Sequence, residues 1–308
     1  MTERELHLTE RPATFKQVVG QKEAVSQLTG MGKSGTIPHC LLFTGPSGCG
    51  KTTLARIIRR KLKCSDTDFT ETNAASNRGI DGVRDIQKRV NLAPMDGPCR
   101  VWLIDECHQL TGEAQGAFLK LLEEPPEHVY FMLATTNPEK LRAAIRTRCT
   151  EIKVRPVGDD DMMALVARVH RDHMDTDILP EVCDKITEMS EGSVRKALVL
   201  LQQIMNVDPE KQVDYLQKTD AKVAAFEIAR AIMANKRWSD VASIIKGCEE
   251  DPEGIRWMIL SYFSKVALGG GKNSGRAVQI LEEFSEPFFN TKKAGLVIAA
   301  YNALHPPE

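Results

Sequence analysis

The chain has 308 residues, 42% hydrophobic and 27% charged, with a formal net charge of −1. That composition suits a soluble protein of two or three domains and needs no disorder. The near-neutral balance supplies no global field for nucleic acid, so any nucleic-acid surface must be local. No apolar run approaches the ~20 residues of a membrane span, and the polar Met1-Thr-Glu-Arg-Glu5 start does not read as a signal peptide. Eight scattered cysteines without a C-x-x-C pair predict buried thiols in a reducing compartment, the cytoplasm, rather than a disulfide frame or a zinc site.

In chain order, Arg11-Pro-Ala-Thr-Phe15 leads through Val18-Val-Gly-Gln21 into an amphipathic helix from residue 22. Val18 and Val19 could offer apolar contact to an adenine base, or the segment could be an ordinary N-terminal helix. Next, the apolar run Leu41-Leu-Phe43 breaks into Gly45-Pro-Ser-Gly-Cys-Gly-Lys-Thr52 and a helical pattern follows at once. Strand, G-x-x-x-x-G-K-[ST] and helix together make a phosphate-binding loop for a nucleoside triphosphate, ATP, with Mg²⁺. Gly45, Pro46, Ser47, Gly48, Cys49 and Gly50 would turn backbone N–H groups toward the phosphates, with Thr53 just inside the helix. Lys51 would reach the β/γ-phosphates, and the Thr52 hydroxyl would help to hold the metal.

Residues 68–73 alternate as a second strand. The turn Asn77-Arg78-Gly79-Ile80-Asp81 then puts a cation at a helix start. A cation there opposes the helix dipole unless an anion is near, so phosphate contact and a solvated helix face are both open readings. Val101-Trp-Leu-Ile-Asp105-Glu106 is a buried strand that delivers two acids at its C-terminal end. After a phosphate loop this is a Walker B element, with Asp105 for the Mg²⁺ shell and Glu106 to polarise the attacking water. A helix at 111–124 and strands at 129–134 and 150–154 complete the alternation. Thr135-Thr136-Asn137 leaves the first of these strands where a polar side chain could sense the γ-phosphate. Of the arginines within 142–148, at least one is a candidate anion finger, and ordinary surface arginines are the alternative reading.

From Pro156 the alternation stops. Residues 159–170, 180–189 and 193–205 predict three helices, with Ser193 as an N-cap and Arg195 in the first turn. A polar linker at 207–218 precedes helical patterns near 221–235, 237–248, 254–267, 274–284 and 289–303. The glycine-rich turn at 269–275 lacks a preceding strand and is not a second nucleotide loop.

These motifs, together with Asp105-Glu-Cys-His108, Leu119-Lys-Leu-Leu-Glu-Glu-Pro-Pro-Glu127, Leu133-Ala-Thr-Thr-Asn-Pro138 and Thr147-Arg-Cys149, resemble the AAA+ ATPase subunits of sliding-clamp loaders. They are similar to bacterial DNA polymerase III gamma/tau and to the small subunits of replication factor C, densely over 10–206. The resemblance implies an α/β RecA-like core with a parallel sheet (1–156), a three-helix lid (157–215) and an all-α collar that assembles a five-subunit spiral (216–308). It makes Thr136 the first sensor, with Asn137 next in line, Arg195 the second sensor, and Arg148 a finger for a neighbouring subunit's ATP. Arg78, Gly79 and Ile80 would face the DNA backbone, with Thr111 a further contact. The implied partners are primer–template DNA, the sliding clamp, the other loader subunits and the polymerase holoenzyme, with no membrane. Where gamma/tau subunits carry a four-cysteine zinc module, only Cys64 remains, which predicts no zinc. No long tail follows, so tau-like tethering is not implied, and the short form suits a phage-encoded or minimal loader. A branch-migration or replication-restart AAA+ motor and a non-hydrolysing loader subunit are the rival readings.

Overall fold

A computed structural model describes residues 5–33, 37–76, 78–248, 251–271, 273–288 and 290–305. Its contacts divide the chain into two compact units, Met1–Asn206 and Val207–Glu308.

The first unit is built on β1 (Cys40–Thr44), β2 (Phe69–Asn73), β3 (Arg100–Asp105), β4 (Val129–Thr135) and β5 (Thr150–Lys153). They form one parallel sheet in the order β2-β3-β4-β1-β5. Side chains of a strand alternate between faces, so β1 feeds two cores. Leu41 and Phe43 pack with Leu54, Ile58 and Leu103, while Leu42 packs on the other face with Phe118, Phe131 and Ile104. β1, β3 and β4 are therefore apolar almost throughout, as strands covered on both faces must be. Edge strand β2, Phe-Thr-Glu-Thr-Asn, stays half-exposed.

The flanking helices are α1 (Leu6–Thr9), α2 (Lys22–Lys33), α3 (Lys51–Lys61), α4 (Ile80–Arg89), α5 (Gly112–Glu123) and α6 (Ala143–Arg148). Because β1, β3 and β4 are parallel neighbours, the loops leaving their C-terminal ends meet, where open α/β sheets bind ligands. Three further helices, α7 (Asp159–Met174), α8 (Pro180–Ser190) and α9 (Val194–Ile204), pack on one another in the same unit. Left-handed Glu191 and Gly192 turn the chain between α8 and α9, and the Ser193 side chain caps α9 by accepting from the Lys196 N–H.

The second unit contains α10 (Gln212–Met233), α11 (Trp238–Gly247), α12 (Pro252–Leu268), α13 (Ser274–Glu283) and α14 (Lys293–Leu304). Ile228, Ile232, Ile259, Phe263, Ile280 and Phe284 are fully buried in its core. Helix α10 begins inside the stretch expected to be a polar linker and runs through position 215, where the lid was expected to end. Its first turns are polar in composition, but Gln212 and Leu216 are buried. Two inward positions one turn apart are enough to hold a helix down, and too few to register as periodicity.

Candidate nucleotide-binding cleft

The loop after β1 is shaped by backbone conformations that side chains resist. Gly45 has φ +143°, and a Cβ there would lie 1.9 Å from the Val154 carbonyl oxygen. Gly48 has φ +76°, and its Cβ would meet Ser193 Oγ at 2.1 Å. Glycine at both positions thus lets the loop close against β5 and the start of α9. Lys51, 5% exposed, opens α3. Its Nζ donates to the carbonyls of Gly45 at 2.7 Å and Pro46 at 2.8 Å. Burial pulls the Lys51 pKa below the ordinary lysine value, while Glu106 and Asp105 pull it upward.

Thr52 Oγ1 donates to Asp105 Oδ2 at 3.1 Å. A hydroxyl and a carboxylate oxygen so close together fit Mg²⁺, which takes one or two protein ligands and completes its shell with phosphate oxygens and water. β3 ends at Asp105, and Glu106 follows in a left-handed conformation, φ +49°. For a non-glycine residue this costs on the order of 1–3 kcal/mol and is a mark of functional positions. The turn is held by the Glu106 N–H donating to Asp105 Oδ1 at 2.9 Å. Just past β4, Thr136 Oγ1 lies 3.2 Å from Glu106 Oε2 and 2.9 Å from Asn137 Oδ1. Thr136, and not Asn137, is therefore the residue on the acid.

Lys51, Thr52, Asp105 and Glu106 line one cleft of about 970 Å³ that opens to solvent, while Gly45, Pro46 and Thr136 lie behind its wall, Thr136 against Glu106. Loop residues Ser47 through Thr53, Asp105 and Glu106 form its polar end. Val18 and Val19 line the remainder with Leu165, Leu198 and Arg195 from the lid helices. The Arg195 N–H donates to the Gly48 carbonyl at 3.3 Å, which ties the start of α9 directly to the phosphate loop. Arg11 also lines the cleft, although its sequence pattern had suggested only a turn before a helix. Burial, and secondarily Arg56, pull its guanidinium below the ordinary arginine value. A cation held among other cations beside an anion site was the signal available, but it needs the fold to bring residue 11 to the loop.

Other expected site residues lie elsewhere on the first unit. Arg148, on α6, donates to Glu123 at 2.6 Å and to the Ala144 carbonyl at 3.0 Å, outside the cleft. Arg78, Gly79 and Ile80 stand at the start of α4, and Thr111 caps α5 by accepting from the Ala114 N–H. The Thr111 N–H donates to the Arg78 carbonyl at 3.0 Å, so the two helix starts are neighbours. Asn77 lies outside the described residues. All eight cysteines are buried thiols, none in a disulfide. Burial pushes Cys99 and Cys149 up to about 12. Among the described residues no three His, Cys, Asp or Glu side chains group as metal ligands, and no helix is long and apolar enough to cross a membrane.

Over 231 residues the chain is 35% identical to DNA polymerase III subunit gamma/tau of Mycobacterium tuberculosis, a match covering 67% of this chain and 39% of that protein. This chain is a homologue of the DNA polymerase III gamma/tau subunits. The gamma/tau likeness extends to subunit gamma of Buchnera aphidicola, 32% identical over 64% of this chain and 59% of that one. Subunit tau of Escherichia coli is 34% identical over 63% of this chain and 33% of its own length. The chain thus spans about two-fifths of the length of the first of these curated relatives. Residues 68–158 match the family model of the DNA polymerase III delta subunit, and residues 14–101 that of magnesium chelatase subunit ChlI. Among solved structures, the RuvB Holliday junction branch migration motor of Thermotoga maritima aligns with a TM-score of 0.60. It is 20% identical over 76% of this gamma/tau homologue and 84% of that chain. That likeness concerns the fold, which is the AAA+ fold of an α/β RecA-like core followed by helices.

Proposed function

We propose that the chain is an ATP-hydrolysing subunit of a DNA polymerase sliding-clamp loader. One observation carries this reading: in a gamma/tau homologue, Lys51, the Thr52–Asp105 pair and Glu106, which Thr136 touches from behind, converge on one cleft. ATP would bring its base against Val18 and Val19 and its phosphates to the loop. Lys51 Nζ then exchanges the Gly45 and Pro46 carbonyls for β/γ-phosphate oxygens, a charge-assisted contact stronger than the one it replaces. Thr52 and Asp105 would hold Mg²⁺, which neutralises charge on the phosphate oxygens. Glu106 polarises the water that attacks the γ-phosphorus, Thr136 aligns with it, and Arg195 brings the lid onto the phosphates.

Arg148 is exposed and paired only on its own surface, which suits a finger offered to a neighbouring subunit's ATP. The all-helical second unit suits the collar of a five-subunit assembly, in the division 1–156, 157–215 and 216–308. The adjacent starts of α4 and α5 would bind the backbone of primer–template DNA through Arg78, Gly79, Ile80 and Thr111. The sliding clamp and the polymerase holoenzyme would be further partners, in the cytoplasm.

The test is steady-state ATP hydrolysis by the chain assembled with its loader partners, with primer–template and clamp added separately and together. Strong stimulation by the two together is the expected result. Turnover indifferent to both would move the chain to another AAA+ task, and absence of turnover in a complete assembly would make it a structural subunit.

A further inference from the structure

The left-handed turn at Glu106 leads into a short 3-10 turn, Cys107–Gln109, that packs on the end of β4. It tucks His108 behind the acid, with the imidazole 6% exposed. His108 Nδ1 is 3.0 Å from Thr135 Oγ1 and 3.3 Å from Glu106 Oε2, and its Nε2 is 2.9 Å from Gln109 Nε2.

Two arguments place a proton on Nδ1. An amide nitrogen only donates, so Nε2 accepts from Gln109 and the neutral ring carries its proton on Nδ1. The amide orientation is an assignment, but Glu106 gives the same answer independently. A carboxylate oxygen only accepts, and a bare Nδ1 lone pair facing it at 3.3 Å would be repelled. The Nδ1–H is therefore shared between Thr135 Oγ1 and Glu106 Oε2.

Thr136 Oγ1, 3.2 Å from that same oxygen, divides its one proton between it and Asn137 Oδ1 at 2.9 Å and is the weaker anchor. No described residue donates to Glu106 Oε1, although the acid lines the cleft. One carboxylate oxygen is tethered and the other is left to receive a proton from water. We propose that His108 is a positioning residue, which with Thr136 anchors Oε2 and so aims Oε1 at the attacking water. This rests on Glu106 being the acid that polarises water. Without His108 the carboxylate keeps a single anchor and swings about its own torsions, and a small misplacement of a catalytic group is costly in rate.

Turnover is measured in the assembly in which the wild-type chain hydrolyses ATP, beside nucleotide binding. His108→Ala should lower kcat by ~10- to 100-fold while nucleotide Kd and KM move less than ~3-fold, the signature of lost orientation rather than lost binding. His108→Asn, whose amide nitrogen reaches the place of Nδ1, should recover most of the loss. His108→Gln, whose amide reaches the place of Nε2, should not. Glu106→Gln separates the two readings. If it turns over like wild type, the role of Glu106 falls; if it is inactive while His108→Ala is normal, the role of His108 falls and that of Glu106 stands. Imidazole nitrogen NMR on the isolated chain tests the geometry without turnover. The expected spectrum has His108 as the Nδ1–H tautomer, with shifts that move in Glu106→Gln. An Nε2–H tautomer, or shifts indifferent to residue 106, would overturn the proposal.

Discussion

Two acidic corners of the same sheet are built in opposite ways. At the entrance of β2, Asp68 is 1% exposed. It accepts from the backbone N–H groups of Met95, Asp96 and Gly97 at 2.8, 3.0 and 3.2 Å, from Ser65 Oγ at 2.8 Å, and from Arg100 at 3.4 Å. At the exit of β3, Glu106 is 28% exposed, sits on a left-handed backbone and leaves one oxygen without a protein donor among the described residues. Burial alone would raise the Asp68 pKa, but its hydrogen bonds, led by those from Asp96 and Met95, hold it far below the carboxylate range. The second unit repeats the saturated design: Glu253 holds Arg256 and the Phe288 N–H, while Arg256 reaches the carbonyls of Phe284 and Ser285. A buried charge whose bonding capacity is filled fastens loops together. One left open at a cleft is available to a substrate.

Breaking the open side should affect rate and spare the fold. The largest effect is expected from Arg148→Ala, which should lower turnover of the assembled protein by ~10³–10⁵. Nucleotide binding by the chain alone should be untouched, and paired ATPase and equilibrium-binding measurements check both halves. Glu106→Gln should cost ~10²–10⁴ in kcat, the usual worth of a positioned base. It should leave intact the rise in Tm that ATP induces, whereas Lys51→Ala should abolish that rise.

Breaking the saturated side should do the reverse. Asp68→Ala strands Arg100 and several buried N–H groups, and should cost about 2–4 kcal/mol in urea unfolding of the first unit. Turnover per folded molecule should stay near wild type. The pH dependence has a definite sign. A carboxyl held below its unfolded value of about 3.9 contributes its full stability above that pH and loses it progressively as the pH falls further. Asp68→Asn should therefore flatten the acid limb of the stability profile, read as urea midpoints from pH 6 downward to roughly pH 3. The smallest effect is expected from Arg78→Ala, a few-fold loss of DNA affinity with the salt slope reduced by about 1. A fluorescence-anisotropy titration over several salt concentrations would read it, and an unchanged slope would remove Arg78 from the DNA surface.

The short-range parts of this protein were legible in its sequence. Lys51, Thr52, Asp105 and Glu106 stand in local patterns whose chemistry is readable one motif at a time, and the apolar runs of β1, β3 and β4 could only be covered strands. Alternation of strand and helix up to Pro156, and helix alone beyond it, determined the fold class. What is non-local was decided by tertiary structure. Arg11 reaches the phosphate loop from the far side of two elements, and Leu165 and Leu198 reach the cleft from helices whose sequences show only an apolar face. The helix over 212–233 starts in polar residues that only their burial reveals as anchored. His108 is the clearest case. Its neighbours in the chain mark it as part of a motif, but its proton is assigned by Thr135, on the adjacent strand, and by the strained turn at Glu106. A sequence carries periodicity and local chemistry, whereas the distances that select a tautomer or free one carboxylate oxygen arise only when separate strands are packed side by side.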